Sequence, residues 1–273
     1  MRSKVSIVTV ITAIAALAIP VLQISCGGGG GGGGGSTATR GVITGFGSVY
    51  VNGVEFTTGS DTHRMLLDTG EDHTGGHDSD VLRTGMVVTV HHEEGDHHAT
   101  EIEYEDDLEG PVQFLNAVDN TFEVLGQKVA WDTGTTVEFQ GNFATAIDNG
   151  DIVEVSGLTD STRVIHATYI EVSPPGSKSE FEIKGYVSEL SINDNTFRLG
   201  PLPLPDMGTV TVDFSSARFD DLPGGVADGK FVEVETVSPA SGRFDEAVIT
   251  ATEVEGKEDI GHDDDHYEDH VED

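Results

Sequence analysis

Eight consecutive residues, His91-His92-Glu93-Glu94-Gly95-Asp96-His97-His98, bring four imidazoles and three carboxylates to one place in the chain. Alternating apolar runs flank them, which marks a hairpin tip between two strands. If Glu93 to Asp96 form the turn, His92 faces His97 and His91 faces His98. Opposed residues of an antiparallel pair hold their Cβ atoms about 4.5–5.5 Å apart. Imidazoles at that spacing can share one Zn²⁺, Cu²⁺ or Ni²⁺ ion, with Asp96, Glu93 or Glu94 as a further ligand. A second histidine loop, from His63 through His73 and His77 to Asp78, could approach the same ion. The opposing reading is a hydrated acidic tip with no fixed ligand geometry. Closed metal sites need oriented ligands, so loose and exchangeable binding is the favoured form of the metal reading. Histidines near pKa 6.5 would also gain charge in mildly acid surroundings.

The last residues, His262 to Asp273, space His262, His266 and His270 four apart. On a helix these would form one stripe, but so dense an acidic run opposes helix formation and reads as a disordered, cation-attracting tail over 258–273. Familiar catalytic patterns are missing from the sequence: there is no Gly-x-Ser-x-Gly elbow, no His-Glu-x-x-His pair and no phosphate-cradling Gly-rich loop. Carboxylate pairs occur throughout, so pairing carries no catalytic information. Trp131 and Phe139 could line a binding face, or pack in a core as scarce aromatics usually do. The expectation is a protein that is not an enzyme.

The charge balance narrows the partners. Acidic residues number 49 against 14 basic ones, for a formal net charge of −35. Nucleic-acid affinity rests on cationic neutralisation of phosphates, so nucleic acid is excluded as a natural partner. Cations, cationic surfaces and neutral envelope ligands stay open. The one cysteine, Cys26, rules out an intrachain disulfide.

Cys26 sits at the end of a targeting pattern. Met1-Arg2-Ser3-Lys4 is a basic start, Val5 to Ile19 an apolar stretch, and Pro20 to Ser25 a short junction. Gly27 to Gly35 then forms a flexible tether. This order resembles bacterial lipoprotein signals, in which the cysteine thiol is acylated and the preceding residues are removed. Ser25 matches that pattern, whereas Gln23 stands where Leu is usual. The resemblance implies residues 1–25 as signal peptide, lipid on Cys26, and 26–39 as linker. Because Gly27 is not the Asp of inner-membrane retention, it implies an outer-membrane or cell-surface address. An uncleaved apolar helix or an ordinary cleaved signal are the alternatives.

These features must be carried by the elements that follow. Beyond Thr39, short Val/Ile/Phe/Thr runs alternate with Gly, Asn-Gly and Asp-Asn turns, and no helical period is sustained. A helical turn is expected only within Leu222 to Asp228. One strand recurs three times: Gly85 to Val90, Gly150 to Val155 and Gly229 to Val234. Each copy precedes a strand opening on an alanine, namely Ala99, Ala167 or Ala247. Each follows a hairpin, at Val49 to Phe56, Val118 to Val124 and Ile192 to Leu199. The chain therefore reads as all-β, with three tandem OB-like β-barrel units at 40–111, 112–175 and 178–257. Pro174-Pro175-Gly176 is the linker before the third. The pattern resembles an uncharacterised family of exported bacterial proteins with tandem OB-like repeats, a domain of unknown function. That resemblance supplies no catalytic residues. Together these readings describe a non-enzymatic envelope lipoprotein that presents its modules to a ligand or partner, with divalent-metal binding as the alternative.

Overall fold

The computed structural model describes residues 23–24, 36–67, 70–203 and 207–257. Of the expected signal segment 1–25 only Gln23–Ile24 lie inside them; Cys26, the Gly27–Gly35 run and the expected tail over 258–273 lie outside. Within the described residues the chain is nearly all β. Its only helical turns are Asp78–Val81 and the 3-10 turn Gln140–Asn142. The helical turn expected at Leu222 to Asp228 is absent; Pro223-Gly224 form a single tight turn there, closed by the Gly225 N–H on the Leu222 carbonyl at 2.9 Å.

Three rings of strands repeat one connectivity. In the first, Ser36–Gly45 pairs with Val49–Val51, which turns back onto Val54–Phe56. The chain then runs parallel to the last strand of the ring, first as a bridge from Thr57 to His98 and then as His63–Leu66 beside Ala99–Tyr104. Val87–Glu93 lies antiparallel to both Ala99–Tyr104 and Ser36–Gly45, and so closes the ring. The second ring does the same with Leu108–Pro111 and Gln113–Asn116, Thr121–Val124, Gln127–Ala130 and Thr136–Phe139, Ile152–Thr159, and Ile165–Ser173. The third uses Phe181–Ser191, Thr196–Gly200, Val210–Asp213 and Arg218–Asp220, Phe231–Thr236, then Ala247–Thr250 and Glu253–Gly256. Closure leaves few open edges, which a small sheet needs to avoid pairing with other chains.

Local sequence explains the repeat. A glycine opens the fourth strand of each ring: Gly85, Gly150 and Gly229 have φ of +96°, +95° and +85°. Only glycine enters that region without steric cost. Each donates its N–H to the first strand, at Ile43, Val112 and Val187, and each acceptor residue donates back to the carbonyl that follows the glycine, all at 2.8 Å. The hairpin turns likewise place Asn52, Asn120 and Asn195 at φ of +50° to +54°, a conformation asparagine tolerates.

The rings are not equally separate. The first has its own core, built on Ile43, Val51, Phe56, Val90 and Ile102, with Tyr169 inserted from the second ring. The second and third share one continuous core. Their first strands pair directly, Glu109 to Glu182 and Leu108 to Ile183. The buried Thr209 hydroxyl donates to Gln127 at 2.8 Å, and Arg163 makes a bidentate pair with Asp245. The division is therefore one ring seated on a fused pair.

Candidate functional site

The four hairpin histidines do not converge. The expected register opposes His91 to His98, but His91 lies opposite Glu101 and His92 opposite Ala99, with a register shift between them. The second strand resumes two residues later than a four-residue turn allows, because His98 is used in the bridge to Thr57. The His91 ring donates from Nε2 to the Glu103 carboxylate, 2.9 Å away. That bond, with the charges of Glu103 and Glu101, raises its pKa against the opposing effect of burial. His92 is buried against Thr39 at 3.1 Å. Its ring lies 5.1 Å from that of Phe56 and 6.4 Å from that of His97. His98 turns to Asp61 and Thr57, both at 3.3 Å, and Asp96 accepts the His98 backbone N–H.

The second histidine loop is also satisfied locally. His63 meets Asp72 at 2.9 Å and His73 meets Glu71 at 3.2 Å. His77 is the N-cap of the Asp78–Val81 turn, with its N–H on Asp80. Asp78 in turn holds the buried Arg64 guanidinium, which fixes this loop against the first ring. The imidazoles of His63, His73, His91, His92 and His98 thus each meet a local partner, His97 packs its ring against Phe56 and His92, and among the described residues no three metal-binding groups gather in either loop.

The one such gathering among the described residues is elsewhere. Asp106, Glu109 and Glu154 present carboxylate oxygens within 4.8 Å of one another. Asp106 lies on the segment between the first two rings, Glu109 on the first strand of the second ring, and Glu154 on that ring's fourth strand. The Tyr104 hydroxyl donates to Glu154 at 2.9 Å. Burial, and then the charges of Glu154 and Asp106, push that hydroxyl's pKa well up. Lys178 pairs with Glu109; burial pulls its ammonium down, but the Glu109 hydrogen bond and charge outweigh this and leave it raised.

On the third ring Lys184, only 3% exposed at its side chain, sits among carboxylates. Its ammonium lies 3.1 Å from Asp106, 3.0 Å from Glu182 and 3.4 Å from Glu233. Two cavities flank this segment where all three rings meet. One, of about 380 Å³, sets Leu66, Val81, Met86 and Phe181 against Glu109, Glu154, Glu171, Glu180, Glu182 and Glu235. The other, of about 320 Å³, has Arg40, Glu103 and Asp107 beside the tilted Tyr186–Phe231 pair. Glu235 is raised by burial and then by its neighbours Glu253, Glu233, Glu180 and Glu182.

Sequence reasoning passed over these acids because carboxylates are so common in the chain. A signal was nonetheless present in the repeated strand. Glu154 and Glu233 interrupt it at equivalent central positions, where the first copy has Thr89. Trp131 and Phe139 prove to be partly buried against the shared core, with Trp131 5.2 Å from Phe122.

No curated protein and no solved structure matches the chain. A family profile does, twice in succession, over residues 40–103 and 109–171. Those stretches coincide with the first ring and most of the second, and the third ring repeats their connectivity outside the matched region. Over those two stretches the chain carries tandem copies of a domain of unknown function (DUF5666), consistent with an uncharacterised family of tandem repeats.

Proposed function

We propose that this is a non-enzymatic envelope lipoprotein, held on the outer membrane or cell surface through Cys26, whose modules form a cation-binding array. We read the three rings as OB-like barrels. The reading draws on the long first strand shared between two neighbours and on the parallel pairing of third and fifth strands. The observation that carries the binding function is the acid-lined cavity where the three rings meet. Its volume lies within the roughly 300–1,000 Å³ of small-ligand sites. Its carboxylates outnumber the lysines that face them.

The ligand class follows from the donors. Asp106, Glu109 and Glu154 offer oxygen alone, which suits hard cations such as Ca²⁺ or Mn²⁺ over Zn²⁺, Cu²⁺ or Ni²⁺. Lys178, half exposed, is the resident counter-ion that an entering cation displaces into solvent. The histidine hairpin keeps a lesser role as a loose, exchangeable surface site. Nucleic acid is not a partner in this reading, because a formal net charge of −35 opposes phosphate binding.

Two experiments test it. Thermal-shift measurements with Ca²⁺, Mn²⁺ and Zn²⁺ should show stabilisation by the first two, reduced in Glu154→Gln. No shift with any cation removes the binding function. Metabolic labelling with a palmitate analogue should mark the wild type and not Cys26→Ser. Membrane retention without label points instead to an uncleaved helix.

A further inference from the structure

The fused pair shows how one ring of this protein joins another. The second and third rings are bonded through their first strands, and every ring carries the same register mark. That mark is the residue that exchanges backbone bonds with the opening of the fourth strand: Ile43, Val112 and Val187. Leu108 and Ile183, each four residues before its mark, lie opposite one another, and Glu109 lies opposite Glu182. The Lys184 N–H donates to the Asp107 carbonyl at 3.2 Å and extends the same ladder. The residue three before one mark thus meets the residue five before the other, in both directions, which makes the pairing a local two-fold.

In the first ring the same positions are Ala38, Thr39 and Arg40. One side of their strand is bonded to Val87–Glu93. Ile43 exchanges bonds on that side, so by the two-residue period Thr39 and Gly41 face it as well. Ala38 and Arg40 then turn their N–H and C=O groups to the opposite side, as Val42 does in its bonds with Asn52. Beyond Val42 that opposite side is covered by Val49–Val51. At Ala38–Arg40 no strand of another ring is paired among the described residues. The strand found there is Gln23–Ile24, with Gln23 opposite Thr39 and Ile24 opposite Ala38. The edge is also chemically fit to pair with itself. Thr37-Ala38-Thr39 is small and threonine-rich, with none of the Pro or Lys residues that guard natural edges. In a self-pairing of the same register Thr39 meets Thr39 and Arg40 meets Ala38, so no like charges stand opposite each other.

We propose that the Ala38–Arg40 edge is a self-docking surface, through which two copies of the chain join first ring to first ring by the antiparallel pairing that fuses the second and third rings. Such an interface uses the same patch on both partners, so it closes as a dimer and does not propagate. Gln23–Ile24 occupies the edge while the leader is attached and holds the chain as a monomer. The release of the edge rests on the reading that residues 1–25 are removed at Cys26, whereas the edge itself stands on the pairing alone.

The test is sedimentation velocity of the full chain in non-ionic detergent at about 0.15 M salt, where exposed charges are screened beyond about 8 Å. The wild-type full chain should sediment as a monomer. Ile24→Pro deprives the covering strand of an N–H and should convert the protein to a dimer. Ala38→Pro removes only an outward N–H and spares the ladder to Val87–Glu93; added to Ile24→Pro, it should restore the monomer. Cysteine trapping reads the register independently. In the Ile24→Pro/Cys26→Ser background, Ala38→Cys/Arg40→Cys should give a covalent dimer on mild oxidation, and Glu55→Cys/Glu94→Cys at exposed positions should give far less. A monomeric Ile24→Pro protein overturns the proposal. So does a dimer that Ala38→Pro leaves intact, or oxidation that traps both cysteine pairs equally. None of these readouts uses palmitate or a cation, so their failure leaves the labelling and thermal-shift results standing, and the reverse also holds.

Discussion

The histidine hairpin and the acid junction are joined by a single strand, Ala99–Tyr104, and they handle charge in opposite ways. At the hairpin three of the four imidazoles have separate partners, Glu103 for His91, Thr39 for His92 and Asp61 for His98, and His97 packs on Phe56 and His92. At the junction several carboxylates share few cations, and burial prevents water from screening them. Density of metal-binding residue types along a chain is thus a poor guide to where charge is left to be neutralised. Exposed groups find neighbours and solvent, whereas groups fixed on rigid strands between rings cannot turn away. The contrast has consequences that mutation can break or sharpen.

The largest effect should come from Lys184→Met. It removes the buried ammonium that Asp106, Glu182 and Glu233 share, leaving Lys257 as the cation beside Glu233. Breaking a buried pair costs about 3–5 kcal/mol, and denaturant unfolding at neutral pH should show a loss of that order. Exposed ion pairs near the hairpin should show nothing comparable.

Next come the equivalent glycines. Gly150→Ala meets open space and carries only the cost of a positive φ, about 1–2 kcal/mol. Gly85→Ala carries that cost and also collides with the Thr168 carbonyl, so it should be the more destabilising of the two. Equal losses in paired denaturation curves would show that the first ring is not seated there.

A gain is expected from Glu235→Gln. The folded protein raises the pKa of this acid, so folding binds protons more strongly than the unfolded chain does. The native state is therefore favoured below the ordinary carboxylate range and loses that advantage as pH rises through the raised pKa. The glutamine variant should melt higher than wild type at neutral pH and the same as wild type near pH 4.

The smallest effect should be His91→Gln. Here the raised pKa belongs to a base. Its stabilisation is complete below the unfolded histidine value of about 6.5 and fades as pH rises through the folded value. A loss of less than about 1 kcal/mol is expected in mildly acid solution, fading as pH rises through the raised folded value.

Much of the fold was legible in the sequence, for identifiable reasons. Positive-φ glycines before a Val-x-Val strand and Asn-containing hairpins are local devices, so they repeat visibly at Gly85, Gly150 and Gly229. The fusion of the second and third rings was not legible. It depends on first-strand pairing between Leu108–Glu109 and Glu182–Ile183, contacts whose residues look like any solvent-facing strand. The hairpin register was missed because the turn was assumed to consume four residues, while the Thr57 bridge takes up His98 as well. The junction was not legible because Glu154 lies far along the chain from Asp106 and Glu109 and all three are ordinary in type. Only the closed rings bring them within 4.8 Å.

The most direct test of the central claim, that cation binding resides at the junction and not at the hairpin, is a calorimetric Ca²⁺ titration of three proteins. These are the wild type, Glu109→Gln/Glu154→Gln, and the quadruple variant with His91, His92, His97 and His98 changed to Ala. The expected result is saturable binding in the wild type and the histidine variant, lost in the carboxylate variant. Binding that survives in the carboxylate variant and disappears with the histidines would contradict the account.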